Sequence, residues 1–188
     1  MELSKDDKKE LLRIARCSID SALKHTGVEI PEPSAGAMCE PCGAFVTLRS
    51  HKDLRGCIGY IEARLPLYKT VEEVARKAAF EDPRFPPLSS EELSEVEIEI
   101  SVLSPLQKIS DVKEIEVGRH GLVIDAGYTR GLLLPQVATE YGWDRDQFLS
   151  HTARKAGLPS DAWKHRGVDL YTFTSNVFSE TEVESSHP

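Results

Sequence analysis

The sequence predicts an α+β fold, a mostly antiparallel sheet with packed helices. Three observations carry this. Val96, Ile98, Ile100 and Val102 alternate strictly with Glu95, Glu97, Glu99 and Ser101, the pattern of a strand with one buried and one solvated face. Leu11, Leu12, Ile14, Ala15, Ile19, Ala22 and Leu23 recur at helical spacing instead. Strands and helices do not alternate in regular βαβ order, so a parallel sheet is disfavoured.

Each element has its own signals. Ser4 caps a first helix running to about His25, and Gly27 is a natural stop. Residues 29–43 form a Pro/Gly-rich connection. Phe45–Arg49 and Leu54–Ile61 read as paired strands around His51-Lys52-Asp53. Pro66 opens a second helix with Leu67, Val71, Val74, Ala75, Ala78 and Ala79 on its apolar face. Pro83 ends it, because the residue before a proline avoids the helical region. Leu122–Ile124 and Leu132–Leu134 flank a turn holding Gly127 and Gly131 and read as a hairpin. Pro135 begins a short helix, and Asp144 caps another from Arg145 to Ala156, with Gly157 beyond. Val168–Phe178 is a final strand region. Residues 1–180 form the domain, and 181–188 read as a polar tail without order.

Composition narrows the classes. The 188 residues, 40% of them hydrophobic, suit one domain or two small lobes. No apolar run approaches the ~20 residues of a membrane helix. The N-terminus is charged and has no apolar signal core, so a cytoplasmic location is expected. Four unevenly spaced cysteines do not form a secreted disulfide framework. The net charge of −8 argues against general nucleic-acid binding. The local cluster Arg154, Lys155, Lys164, His165 and Arg166 reads as a solvated helix end. No Gly-rich phosphate loop, HExxH or GxSxG is present, which removes the easy assignments to nucleotide hydrolase, zinc protease and serine hydrolase.

Leu54-Arg55-Gly56-Cys57-Ile58-Gly59 is the stretch richest in chemistry. Period-2 alternation puts Arg55, Cys57 and Gly59 on one strand face, with the first two Cα atoms roughly 6–7 Å apart. A nearby guanidinium favours the reactive thiolate. Glycine inside a strand marks close approach of a ligand or another backbone. The expectation is therefore an internal strand whose arginine–cysteine face lies next to a cleft. The plain alternative is that Cys57 is a small buried hydrophobe and that Gly56 and Gly59 let a helix pack tightly.

LRGCIG resembles the signature of the AMMECR family. Further blocks follow in the family's order: Asp82-Pro83-Arg84-Phe85, Glu97-Ile98-Glu99-Ile100-Ser101-Val102-Leu103-Ser104, His120-Gly121-Leu122, Leu133-Leu134-Pro135-Gln136-Val137-Ala138, Lys155-Ala156-Gly157-Leu158 and Phe178-Ser179-Glu180. The resemblance runs from about Phe45 to Glu180. One departure is Thr152, where many members carry cysteine. The resemblance implies an α+β fold of two unequal lobes. Members are often fused to or encoded with Memo-like and radical-SAM proteins, which implies such partners and a shared pathway, with RNA or nucleobase modification proposed as its business. The family has no established activity, and the sequence names no substrate or cofactor.

The candidate site residues follow from both readings. Cys57 is the candidate nucleophile and His120 its candidate base, with a turn histidine as the structural alternative. Arg55, Arg84, Gln136 and Glu180 are candidate substrate-binding residues, Arg84 as a holder of an anionic group through its planar fork. Asp82 and Arg84 straddle Pro83 and can instead pair to fix the loop. Gln136 starts a helix, where free N–H groups favour anions, and Glu180 closes the last strand. Gly56, Gly59 and Asp82 are assigned structural roles. Cys39-x-x-Cys42 lacks partners for a four-ligand zinc site and reads as loop cysteines first, then an adventitious disulfide, then a metal site. Two function classes remain: a cysteine-dependent enzyme or pathway component, and a non-catalytic binding or scaffold module using the LRGCIG region as its interaction surface. An exposed, low-pKa Cys57 favours the first and a buried, inert one the second.

Overall fold

The computed structural model describes residues 2–27, 33 and 36–185. Helices and antiparallel strand pairs make an α+β fold, as the patterning requires. The chain divides into two compact units, residues 1–103 with 176–188 and residues 104–175. Among the described residues no helix is long and apolar enough to cross a membrane.

The first unit is a four-stranded sheet with helices packed on one face. Helix α1 (Lys5–Lys24) starts at a capping box, in which Ser4 and Asp7 satisfy each other's backbone N–H. It stops at His25, which takes the left-handed conformation that was expected of Gly27. Strands β1 (Ala44–Ser50) and β2 (Asp53–Tyr60) form a hairpin, followed by α2 (Leu67–Phe80), a single turn α3 (Ser90–Leu93) and β3 (Val96–Leu103). The sheet order is β2-β1-β3-β8, where β8 is Ser175–Ser179. Val46, Leu48, Ile98 and Ile100 are fully buried on the helix side with Leu11, Ile14, Val71 and Val74. Helix α6 (Glu180–Ser185) occupies five residues of the expected disordered tail. Val183 explains the difference: it is 7% exposed and belongs to the core. Residues 186–188 lie outside the described residues, as do 29–32 and 34–35 of the 29–43 connection.

LRGCIG lies on β2, and β2 is at the sheet edge rather than inside the sheet. This corrects the expectation of an internal strand. The hairpin turn uses two residues, His51 and Lys52, both at positive φ (52° and 75°). That is the twist a two-residue hairpin needs, and glycine or asparagine supplies it more cheaply. Lys52→Gly is therefore expected to stabilise the protein by about 0.5 kcal/mol, since the strain relieved exceeds the added chain entropy. Equilibrium urea unfolding reads this; a fall in midpoint would show that Lys52 makes compensating contacts.

The second unit has its own sheet, β4 (Gln107–Ile109), β7 (Asp169–Phe173), β5 (Gly121–Asp125) and β6 (Arg130–Leu133), in the spatial order β4-β7-β5-β6. All its pairs are antiparallel. Helices α4 (Pro135–Glu140) and α5 (Arg145–Lys155) belong to this unit, and Phe148, Leu149 and Ala153 of α5 are buried with Leu122 and Ile124 of β5. The expected single strand Val168–Phe178 is split at Thr174 into β7 and β8, one in each sheet. Thr174 exchanges two hydrogen bonds with Ser104 (2.8 and 2.9 Å), where the chain enters and leaves the second unit.

Candidate functional site

The pairing of β2 with β1 decides what surrounds Cys57. Near the turn Ser50 faces Asp53 and Arg49 faces Leu54, but beyond it Leu48 faces Gly56 and Thr47 faces Cys57. Arg55 is the extra residue of a bulge. Bulges bend the strand and re-aim a side chain, so strict alternation does not carry from Cys57 to Arg55. Arg55 instead bonds Glu92 in α3, its Nε and Nη2 donating at 2.8 and 3.1 Å. Its side chain is only 11% exposed, and Nη1 is buried without a hydrogen-bond partner. The Arg55 guanidinium and the Ser89 N–H hold the Glu92 carboxyl down at about 2. Arg55 is thus committed to a carboxylate and is no activator of Cys57.

Cys57 sits in a polar row across three strands. Thr47 is opposite it on β1, and Glu99 is opposite Thr47 on β3. The Thr47 hydroxyl donates to Cys57 Sγ at 3.3 Å. Arg49 lies on the same face, 3.8 Å from the Glu99 carboxylate. Burial pushes the Cys57 thiol up from its ordinary value. The Thr47 bond and the Arg84 charge oppose this, while Asp82 and Glu99 reinforce it. The net result is a protonated thiol near neutral pH, the inert form.

The outer edge of β2 is closed at Cys57 by the Asp82–Arg84 pair. The Cys57 N–H donates to Asp82 Oδ2 at 2.9 Å. Arg84 Nη2 lies 3.5 Å from the Cys57 carbonyl oxygen and donates to Asp82 Oδ2 at 2.7 Å. Arg84 also donates to Asp82 Oδ1 from Nε (2.9 Å) and from its backbone N–H (3.1 Å). The two side chains offer the strand an acceptor and a donor where a neighbouring strand would. They block edge-to-edge pairing there. The Asp82 carboxylate is 2% exposed, whereas the Arg84 side chain is 53% exposed. Arg84, through three bonds to Asp82, and the Cys57 N–H hold the carboxyl far below the usual range.

The glycines of the motif have tight surroundings. A Cβ on Gly56 would sit 2.2 Å from the Ala78 carbonyl oxygen in α2, and one on Gly59 would sit 2.2 Å from Phe45 Cγ. Gly56 brings the α2 backbone onto the strand, and Gly59 makes room for an aromatic ring.

The other candidates have partners of their own. Glu180 begins α6 and accepts two 2.6 Å bonds from Arg16 of α1 and a third, at 2.9 Å, from the Ile98 N–H. Arg16 also donates to the Leu93 and Val96 carbonyls at 2.8 Å. This is a clasp joining α1, β3 and α6. His120 and Gln136 belong to the second unit. The Glu116 N–H donates to His120 Nδ1 at 3.2 Å, so the neutral ring carries its proton on Nε2. In that tautomer neither ring nitrogen is free to accept a proton from a thiol. Gln136 is in a six-residue helix, and its carbonyl accepts from the Thr139 hydroxyl. All four cysteines are free thiols. Cys39 donates to the Pro33 carbonyl at 3.2 Å and Cys42 to the Leu103 carbonyl at 3.0 Å. Among the described residues no cluster of three His, Cys, Asp or Glu side chains is placed to hold a metal ion. Thr47, Arg49, Glu99 and Glu92 were missed by sequence reasoning. The bulged register of β1 and β2 brings Thr47 opposite Cys57, and the regular β1–β3 pairing puts Glu99 beyond Thr47 in the same row.

Comparison with known proteins agrees with this architecture. The family model described as AMMECR1 matches residues 12–178. Protein MJ0810 of Methanocaldococcus jannaschii is 44% identical over 179 residues, covering 91% of this chain and 89% of that protein. Protein TK0174 of Thermococcus kodakarensis is also 44% identical, over 90% of this chain and 88% of its own. The crystal structure of the uncharacterized protein PH0010 from Pyrococcus horikoshii superimposes with a TM-score of 0.86 at 39% identity, covering 93% of this chain and 91% of that one.

Proposed function

This chain belongs to the AMMECR1 family, and from that premise we propose that it is a binding module, with the LRGCIG strand and its Asp82–Arg84 clamp as the interaction surface. The observation that supports this reading is the state of Cys57: a thiol pushed up by burial, with its neighbouring arginine bonded to Glu92. A nucleophile needs the opposite, a lowered pKa or an adjacent base. At the same strand Arg84 presents an exposed guanidinium whose position is fixed by a buried carboxylate. A preset, half-exposed arginine is a good recognition element, because little freedom is lost when it binds. The cysteine-dependent reading, with RNA or nucleobase modification as its business, has less support for the same reason. The proposed location is the cytoplasm, and the proposed partners are Memo-like and radical-SAM proteins, as the resemblance implies.

Thiol chemistry tests the class. With Cys17, Cys39 and Cys42 changed to serine, Cys57 is expected to react with iodoacetamide more slowly than glutathione at neutral pH, and at the free-thiol rate once unfolded. Arg55→Met is expected to leave the native rate unchanged, because that charge already neutralises Glu92. A native rate above that of glutathione would restore the enzyme reading. Calorimetric titration with a Memo-like protein from the same genome tests the surface. Arg84→Glu is expected to abolish binding and Cys57→Ser to retain it; no binding by the wild type would remove that partner.

A further inference from the structure

The net charge is unevenly distributed. Residues 104–175 carry nine Lys/Arg and nine Asp/Glu, so the whole excess of −8 belongs to the other unit. Within the neutral unit the cations gather at one end. Arg154 and Lys155 close α5, Lys164 ends the short 3-10 helix Ala162–Lys164 that packs against α5, and Arg166 follows it. All four are exposed. Among the described residues none of them forms a salt bridge; Lys164 lies over the Trp163 ring at 4.8 Å. The acid in this stretch, Asp161, is 3.6 Å from His165. The ion pairs of the unit lie elsewhere: Arg130 with Asp125, Lys108 with Asp169 and Arg119 with Glu116.

The same end carries an exposed aromatic side chain. The β5–β6 hairpin is fastened to the α5 terminus by the Thr129 hydroxyl, which donates to the Ala156 carbonyl at 2.7 Å. Gly131 lies against the backbone there, since a Cβ on it would be 2.5 Å from Ala156 N. Tyr128, next to Thr129, is 84% exposed at the hairpin tip. A solvated helix end accounts for Arg154 and Lys155, but not for Lys164, Arg166 or an outward tyrosine. Arginine and tyrosine are the residue types that protein interfaces favour.

We propose that this end of the second unit docks an acidic peptide segment of a partner protein, with Tyr128 contacting its apolar side chains and Arg154, Lys155, Lys164 and Arg166 its carboxylates. Charge complementarity selects the occupant. A long polyanion such as nucleic acid meets the field of the whole chain, which is repulsive on average. A short acidic segment meets the local patch, where screening hides the distant excess beyond a Debye length of about 8 Å.

The test uses the full chain and a fluorescein-labelled Glu-rich peptide of about twelve residues, long enough for an extended recognition segment. Anisotropy is expected to show binding that weakens when salt is raised from about 50 to about 300 mM. The Gln-for-Glu peptide is expected not to bind. The triple variant Arg154→Glu, Lys155→Glu, Arg166→Glu is expected to weaken binding by at least about tenfold, since three attractions become repulsions. Tyr128→Ala is expected to weaken it while leaving the salt dependence in place. Both sites are exposed, so circular dichroism should confirm unchanged folding. Equal binding of the two peptides, or no response to the triple variant, would overturn the proposal. So would tighter binding of a single-stranded RNA of similar length, or concentration-dependent self-association abolished by the same variant, which would assign the patch to nucleic acid or to a second copy. None of these outcomes touches Cys57 or the Arg84 surface.

Discussion

Gly56→Ala is expected to destabilise the protein by about 3 kcal/mol or more, at the upper end of what overpacking costs. The added methyl would meet the Ala78 carbonyl oxygen at 2.2 Å and its carbon at 3.2 Å. Neither is the far end of a flexible side chain. Relief requires α2 to move away from β2, and α2 buries Leu67, Val71, Val74, Ala75, Ala78 and Ala79 in the core. Thermal unfolding should show a fall of roughly 6–12 °C for a chain of this size. Gly27→Ala is the control, because nothing lies within 4 Å of its added Cβ and its φ is not positive. It is expected to be neutral or slightly stabilising through the unfolded chain. A Gly56→Ala protein with wild-type stability would mean that α2 yields easily, and the close strand–helix contact would lose its structural meaning.

That contact also shows what the sequence makes legible. Element types followed from periodicity, because Val96–Val102 and the α1 apolar residues see the same core in every turn or pleat. The single-turn α3 was missed; four residues are too few to show a period. The placement of LRGCIG at the edge was missed for a different reason. Asp82 and Arg84 stand in for the absent neighbouring strand, and a side-chain bond spanning 25 residues leaves no periodic trace. The bulge at Arg55 had a larger effect on the site. An unbroken two-residue hairpin would pair Thr47 with Gly56, whereas the extra residue slides Cys57 opposite Thr47. One residue of slip therefore changes the thiol's neighbour and also sends Arg55 to Glu92. The roles of Glu180 and His120 turned on partners the motif does not contain, Arg16 across 164 residues and the backbone of Glu116. The residues of the site were readable, then, but their charge partners were set by tertiary contacts.

Asp82 gives the second large effect, and it carries a pH signature. Asp82→Ala is expected to cost about 2–4 kcal/mol, because it strips acceptors from the Cys57 and Arg84 N–H groups and removes the partner of a charged guanidinium. Arg84 is half-exposed and can rehydrate, which keeps the loss below that of a fully buried broken pair. Asp82→Asn keeps the shape and one acceptor oxygen but no charge. Its sign with pH follows from the depressed native pKa of Asp82, set chiefly by Arg84. The unfolded aspartate takes up a proton near its usual value of about 3.9. The native one does so only at lower pH. The contribution is therefore complete above the unfolded value and is lost as pH falls through the native one. The stability difference between wild type and Asp82→Asn should be constant from about pH 7 to about pH 5 and shrink steadily below about pH 4. Urea midpoints measured for both proteins across that range give the difference directly, with the other carboxylates cancelling. A difference that stays constant into strong acid would show that the Asp82 charge does not hold the β2 edge, and that Arg84 is positioned by something other than this carboxylate.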